Sequence, residues 1–400
     1  MNVKRLYIIG TFDTKAPELQ FAADSAREAG VEVVLVDVST QKTQGGADVT
    51  AATVASFHPE GEKAVLGLTD RGVAVAGMAD ALSAFLKTRD DIGGVFGLGG
   101  SGNTDLVTHA MRTLPIGTPK LMLSTVASGN TAPYVGPNDI AMMYSVVDIA
   151  GLNAISRRVI ANAANAAAGM VKGKVPSHEA DKPAIGMTMF GVTTDSVTQA
   201  RKHLEDRFDV AVFHATGIGG QSMEKLAESG FLQGMLDVTT TEVPDHLVGG
   251  VFPCTDDRFG AAIRTKLPCV ISVGAVDMVN FGAMDTVPKE FRDRNLYVHN
   301  AQVTLMRTTP EENRAIGKFI VERVNQMEGP VRFFLPLKGV SAIDAPGMPF
   351  HDPEADAALF DAIREGWVDA PNRQLIDLDN NINDSAFSDA LANAFLELIK

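Results

Sequence analysis

VEVVLVDVS, residues 31–39, places apolar side chains on both of its alternating faces, and no other stretch constrains the chain more. A strand of that kind must be covered on two sides, as in parallel sheets flanked by helices. Similar short runs recur, each followed by an amphipathic segment. LYIIGTF leads to PELQFAADSAREAG, where Gly30 stands as a C-cap. GGVFGLGG leads to SGNTDLVTHAMRTL, and the strands PKLMLSTVAS and IAMMYSVVD precede the Ala-rich helix GLNAISRRVIANAANAAAGMVKG. Strands alternating with helices predict βαβ units and mainly parallel sheets.

Four hundred residues exceed one ordinary core, and the alternation restarts after the polar, proline-bounded GKVPSHEADKP. The expectation is two Rossmann-like, doubly wound α/β domains, residues 1–175 and 184–400, joined by a linker at 176–183. In the second half PAIGMTMFGV, DVAVFHATGIGG, CVISVGAVDMV, YVHNAQVTLM and VRFFLPL each read as one strand. GTFDTKAPELQ pairs loosely with FGVTTDSVTQA, and GLGGSGNTDL with TGIGGQSMEKL. Duplication and recurrence of a common device explain that equally well.

The net charge of −14 argues against nucleic acid as a partner, since phosphate backbones need a basic face. Cys254 and Cys269 show no pairing pattern, MNVKRLYIIG enters a strand directly, and no apolar run reaches membrane-spanning length. A soluble cytoplasmic protein without membrane partners is expected.

The polar stretch Thr11-Phe12-Asp13-Thr14-Lys15 leaves the first strand where open α/β sheets meet their ligands. Helix capping accounts for one Asp or Thr there. It does not account for Lys15, because a cation near a helix N-terminus is unfavourable unless an anion joins it. GLGGSG, residues 97–102, follows a strand and opens a helix, the context of a dinucleotide fingerprint, but no acidic residue lies between Asp105 and Asp139 to hold a ribose. The loop reads better as a bare-backbone phosphate cradle at a helix start. The competing reading is that its glycines only permit close helix–sheet packing. The missing acid stands instead at Asp37, the end of the second strand. Gly10, Thr11, Asp13, Thr14, Lys15, Gly97, Gly99, Gly100, Ser101, Gly102, Asn103 and Thr104 are therefore candidate nucleotide-binding residues, with Asp37 on the ribose and Asp13 as a magnesium ligand. Ser128 and Gly129 extend the same rim.

In the second half Asp277, Asn280, His299 and Arg307 gather near strand ends. Arg307 could grip a carboxylate or phosphate bidentately, with His299 as general acid or base. The plainer reading makes Arg307 and Asp277 a buried ion pair. Gly217, Gly219 and Gly220 suggest a second anion-tolerant loop, and Cys254 precedes a helix start as either a nucleophile or a small buried side chain.

GTFDTK, GLGGSGNT, STVASGN, SVVDIAGLN, MFGVTT, GAVDMVNFG and VHNAQVTLMRTTPEEN together resemble the plant tobamovirus-resistance ATP-binding-domain family, which includes bacterial members of unassigned activity. The resemblance runs from about residue 5 to about residue 365. It implies two Rossmann-like subdomains, ATP in the first, and self-association, expected as a homodimer. In plant members this region precedes a TIM-barrel domain and blocks viral RNA replication by protein contact; nothing in these residues points to that role. Two functions follow. One is an adenine nucleotide-binding protein. The other is an enzyme, a hydrolase, lyase or transferase, acting on a small carboxylated or phosphorylated metabolite in an interdomain cleft. A dinucleotide oxidoreductase ranks below both, for want of the acid after GLGGSG.

Overall fold

A computed structural model of the chain, describing residues 4–41, 45–174 and 182–399, shows an α/β architecture built twice. The chain divides into the units Met1–Ser177 and His178–Lys400. Of the expected linker, residues 176–181 lie outside the described residues.

In the first unit the strands are β1 (Arg5–Gly10), β2 (Val33–Asp37), β3 (Ile92–Gly99), β4 (Lys120–Ser124) and β5 (Ala141–Tyr144). They form one parallel sheet in the order β2-β1-β3-β4-β5. The helices are α1 (Phe12–Glu28), α2 (Ala51–Ala55), α3 (Arg71–Lys87), α4 (Ser101–Thr113), α5 (Ala132–Val135) and α6 (Ala154–Lys172). The alternation of β1 explains why both sheet faces are covered. Tyr7 and Ile9 pack with Met78, Leu82 and Leu106 from α3 and α4. Leu6 and Ile8 pack with Leu19, Ile160 and Ala164 from α1 and α6. All four strand residues are fully buried, so truncating Ile8 to Ala would cost about 2–5 kcal/mol.

The second unit has β6 (Ala184–Met189), α7 (Thr194–Leu204), β7 (Asp209–His214), α8 (Ile218–Glu228), β8 (Leu232–Thr239), α9 (Glu242–Val248), α10 (Gly260–Thr265) and β9 (Cys269–Gly274). It continues through β10 (Met278–Phe281), β11 (Leu296–Asn300), β12 (Val303–Arg307), α11 (Pro310–Val324), β13 (Val331–Pro336), α12 (Pro353–Gly366), β14 (Arg373–Leu378) and α13 (Ser385–Leu398). Its main sheet is parallel, ordered β14-β13-β9-β8-β6-β7. Counting only the strands of each parallel sheet, both begin 2-1-3-4-5. The domains are therefore two Rossmann-like sheets of one winding.

Equivalent positions can now be read from topology. GTFDTK and FGVTTDS both follow the first strand of their sheet. The two glycine loops do not correspond, because GLGGSG follows the third strand, β3, whereas GIGG follows the second, β7.

Two runs that read as single strands are each divided. CVISVGAVDMV breaks after β9, where Ala275 adopts φ +57° and turns the chain out of the main sheet. YVHNAQVTLM is a hairpin in which Asn300 Oδ1 accepts the Gln302 amide at 2.8 Å. The pieces β10, β12 and β11 make a separate antiparallel sheet inserted between the fourth and fifth main strands. Among the described residues no helix is long and apolar enough to cross a membrane.

Candidate functional site

In a sheet ordered 2-1-3, the connections leaving strands 1 and 3 diverge to opposite faces, and a crevice opens between their carboxyl ends. In the first unit that crevice is a cavity of about 460 Å³ between the end of β1 and the end of β3. Its walls include Thr11, Asp13, Thr14 and Lys15 from the first loop and Gly100, Ser101, Gly102 and Asn103 from the glycine loop. Thr40 and Gln41, beyond β2, and Arg71, at the start of α3, complete its polar lining. Two cations and one carboxylate thus face one crevice.

The helix starts around it are not equivalent. At α1, the Phe12 amide donates to Asp37 Oδ1 at 3.2 Å and the Asp13 amide to Ser39 Oγ at 3.1 Å. Those donors are already spent. At α4 no side chain caps the helix, and the Gly100 carbonyl accepts from both the amide and the Oγ1 of Thr104, each at 2.9 Å. The Ser101 and Gly102 amides are first-turn donors with no intrahelical acceptor, and both residues are exposed. Of the two helix starts, this is the one whose amides are still free to meet a ligand. Asn103 supplies a further sign. Its Nδ2 donates to the Leu98 carbonyl at 2.7 Å, whereas its Oδ1 is buried without a donor.

The glycines sort by what a side chain would meet. A Cβ on Gly10 would strike Leu19 Cδ2 at 2.7 Å, one on Gly97 would lie 2.6 Å from Met122 Sδ, and one on Gly99 would lie 2.9 Å from Asn103 Cβ. Close packing explains these three. A Cβ on Gly100 would meet nothing nearer than 3.8 Å, and one on Gly102 nothing within 4 Å. Packing does not explain these two, which line the cavity.

The remaining candidates stand elsewhere. Asp37 is buried, and its Oδ1 also accepts from the Ser39 amide (2.8 Å) and Ser39 Oγ (2.5 Å), so it holds the first loop from beneath. Thr104 is buried against Ser124 Oγ at 2.6 Å. Ser128 and Gly129 are exposed beyond β4, outside the cavity lining. Arg71 escaped the sequence reading, although the argument that singled out Lys15 applies to it. It is a cation in the first turn of a helix, directly after the N-cap Asp70.

The four candidates of the second unit do not converge. Arg307 is buried and fully engaged: Nε donates to the Phe350 carbonyl at 2.7 Å, Nη1 to Thr308 Oγ1 at 2.9 Å, and Nη2 to Asp356 Oδ1 at 2.7 Å. Asp344 lies 3.5 Å from Nη2. Asp277 is buried beside this group, with Oδ2 accepting from Ser341 Oγ at 2.8 Å. Burial pushes its carboxyl up to about 6 despite the Arg307 charge. Asn280 instead donates to Asp245 Oδ1 through its backbone and side chain, at 2.7 and 3.1 Å. His299 is exposed at the end of β11.

The second glycine loop does hold an anion, and it is internal. Glu242 Oε1 accepts from the Gly217 and Gly220 amides at 2.8 and 3.0 Å, while its Oε2 accepts from Arg258 Nε at 3.0 Å. Arg258 is itself buried among Glu224, Asp237 and Glu242. Cys254 is buried nearby with its thiol pushed up to about 12 by desolvation, which leaves it protonated and inert as a nucleophile. Among the described residues no group of three or more His, Cys, Asp or Glu side chains could hold a metal ion.

Fold and site together define a two-domain Rossmann-like α/β protein with a polar, glycine-lined crevice at the switch point of its first sheet. The chain belongs to the uncharacterised protein family UPF0261: the N-terminal domain of that family matches residues 4–176 and the C-terminal domain residues 182–399. A UPF0261 protein of Mesorhizobium japonicum is 52% identical over 398 residues, spanning 100% of both chains. One from Clostridium tetani is 46% identical over 402 residues, 99% of each. The ToMV resistance protein Tm-1(GCR237) of Solanum lycopersicum is 44% identical over 422 residues, 99% of this chain but 56% of the tomato protein.

Proposed function

We propose that the protein binds an adenine nucleotide, ATP, in the first-sheet crevice, with its phosphates on the start of α4. The observation that supports this most is the convergence of Lys15, Arg71 and the uncapped Ser101–Gly102 amides on one cavity. Helix dipole, free amides and two cations all favour a polyanion there. Asn103 Oδ1, buried without a donor, would accept from a ligand hydroxyl or amine. Asp13 is the one carboxylate in the lining, so magnesium would be held by it together with phosphate oxygens, the usual mode for that ion. Ribose contact would fall to Thr40 or Gln41 rather than Asp37, whose Oδ1 already has three donors.

The tomato relatives include a ToMV-susceptible protein that is 44% identical, as the resistance protein is. Features common to all three chains are therefore a poor basis for a virus-resistance role. An enzyme built on Arg307 is not advanced either, because every face of that guanidinium meets a protein acceptor.

The test is isothermal titration of the full chain with ATP, supported by melting. ATP at a hundred times its dissociation constant should stabilise the protein by about 2.7 kcal/mol, and NAD should not. Absence of both heat and stabilisation with ATP would end this reading.

A further inference from the structure

The second unit repeats the winding of the first, so the edge that carries the crevice in one should be inspected in the other. There, a cavity of about 180 Å³ stands where β6 and β7 end. Phe190, Gly191 and Val192 follow the first strand, His214 ends the second, and Phe252, His299, Asn300, Val303 and Leu305 close it. It lies at the same carboxyl edge as the N-terminal crevice, but beside the first and second strands of its sheet rather than the first and third, and its chemistry differs. Among the described residues no Lys, Arg, Asp or Glu lines it.

The lining has an apolar floor and a polar rim. The Phe190 and His214 rings stack with centroids 5.1 Å apart and planes 28° from parallel, making a flat wall. Val303 and Leu305 are two apart on β12 and so share a face, at register positions opposite Asn300 and Tyr297 of β11. Phe252 is held in place by its amide, which donates to Asp245 Oδ2 at 2.8 Å. Gly191 adjoins open space, since a Cβ there would meet nothing within 4 Å and its φ is not in the left-handed region.

We propose that this cavity is a second ligand site, for a small monocyclic aromatic compound bearing a hydroxyl group. The space equals about six water volumes, enough for one substituted ring, and the ring wall favours an offset-stacked partner. An anionic head is disfavoured, because no cation lines the site to offset its lost hydration. A hydroxyl both donates and accepts, which suits imidazole and amide partners. Burial lowers the pKa of His214, so the imidazole is the neutral form able to accept a hydrogen bond from that hydroxyl. This inference is independent of the nucleotide reading, since all the residues named belong to the second unit.

The probe is 4-fluorophenol, titrated into the full chain and followed by fluorine NMR. A saturable shift is expected at about millimolar dissociation constant, the range for so small a ligand. Gly191→Leu should weaken binding at least about tenfold at an unchanged melting temperature, and fluorobenzene should bind about tenfold more weakly than the phenol. His299→Ala, which leaves the ring wall intact, should also weaken the phenol while leaving fluorobenzene unaffected. No saturable shift, or parental binding of the phenol by both variants, overturns the site. Equal binding of the phenol and fluorobenzene overturns the assigned ligand class.

Discussion

Arg71 puts a positive charge in the first turn of α3, and Lys15 stands at a non-helical kink (φ −131°) just before the continuous part of α1. Each cation thus sits at a helix start, where the dipole opposes it. Residues kept against the interests of the fold are the ones whose removal separates binding from stability. Lys15→Ala should weaken ATP binding by about 1.5–3 kcal/mol, the worth of a charge-assisted contact, and Arg71→Ala should do likewise. Neither should lower the urea midpoint, and a loss of stability without loss of ATP affinity would place both outside the site. Arg307 predicts the opposite pattern. With Asp344, Asp356, Phe350 and Thr308 around it, Arg307→Ala strands buried carboxylates and should cost about 3–5 kcal/mol. ATP affinity of the variant, measured where it is still folded, should match the parent.

At the scale of elements, the β3–α4 turn has two kinds of glycine. Gly97→Ala forces a methyl group against Met122 Sδ and Val107 Cγ1, at 2.6 and 2.7 Å, and should destabilise by about 1–3 kcal/mol through overpacking. Gly102→Ala adds a methyl group in open space on the first turn of α4, where Ala is favoured over Gly by up to about 1 kcal/mol. It should therefore hold or raise stability while weakening ATP binding. Paired urea melts and titrations check both variants, and unaltered ATP affinity in Gly102→Ala would show that the ligand does not approach that turn. The contrast was out of reach of the sequence. G-x-G-x-x-G marks a strand, a turn and a helix start, but whether each missing side chain makes room for the sheet or for a ligand depends on what lies opposite. Met122 and Val107 come against Gly97 only once the sheet has formed.

At the scale of the whole molecule, the two domains are wound alike but charged differently inside. The second encloses Asp277, Asp344 and Asp356 around Arg307. Burial, together with Asp277 and Asp356, pushes Asp344 up to about 9, more than Arg307 pulls it down. An unfolded Asp titrates near 3.9, so Asp344 binds its proton more tightly when folded. Its contribution to stability is complete below about pH 4 and is lost as pH rises through about 9. Urea melts should give a lower midpoint at about pH 9 than at about pH 6, and Asp344→Asn, which fixes the neutral form, should reduce that difference. An identical pH dependence in parent and variant would refute the assignment.

The sequence by itself determined the class of fold and which loops leave the carboxyl ends of its first and third strands. Alternating apolar runs such as VEVVLVDVS carry their periodicity locally, and a strand buried on both faces has few solutions other than a helix-covered parallel sheet. GTFDTK and GLGGSGN were legible for the same reason, as polar and glycine-rich breaks in that pattern. Tertiary structure alone decided which groups remain available there. Glu242 fills the GIGG loop from 25 residues beyond Gly217, Asp37 is spent on Phe12 and Ser39, and Arg307 is enclosed by carboxylates 37 and 49 residues further on. Pairing of that kind leaves no periodic trace, because a buried charge is satisfied by whichever partner the fold brings near it.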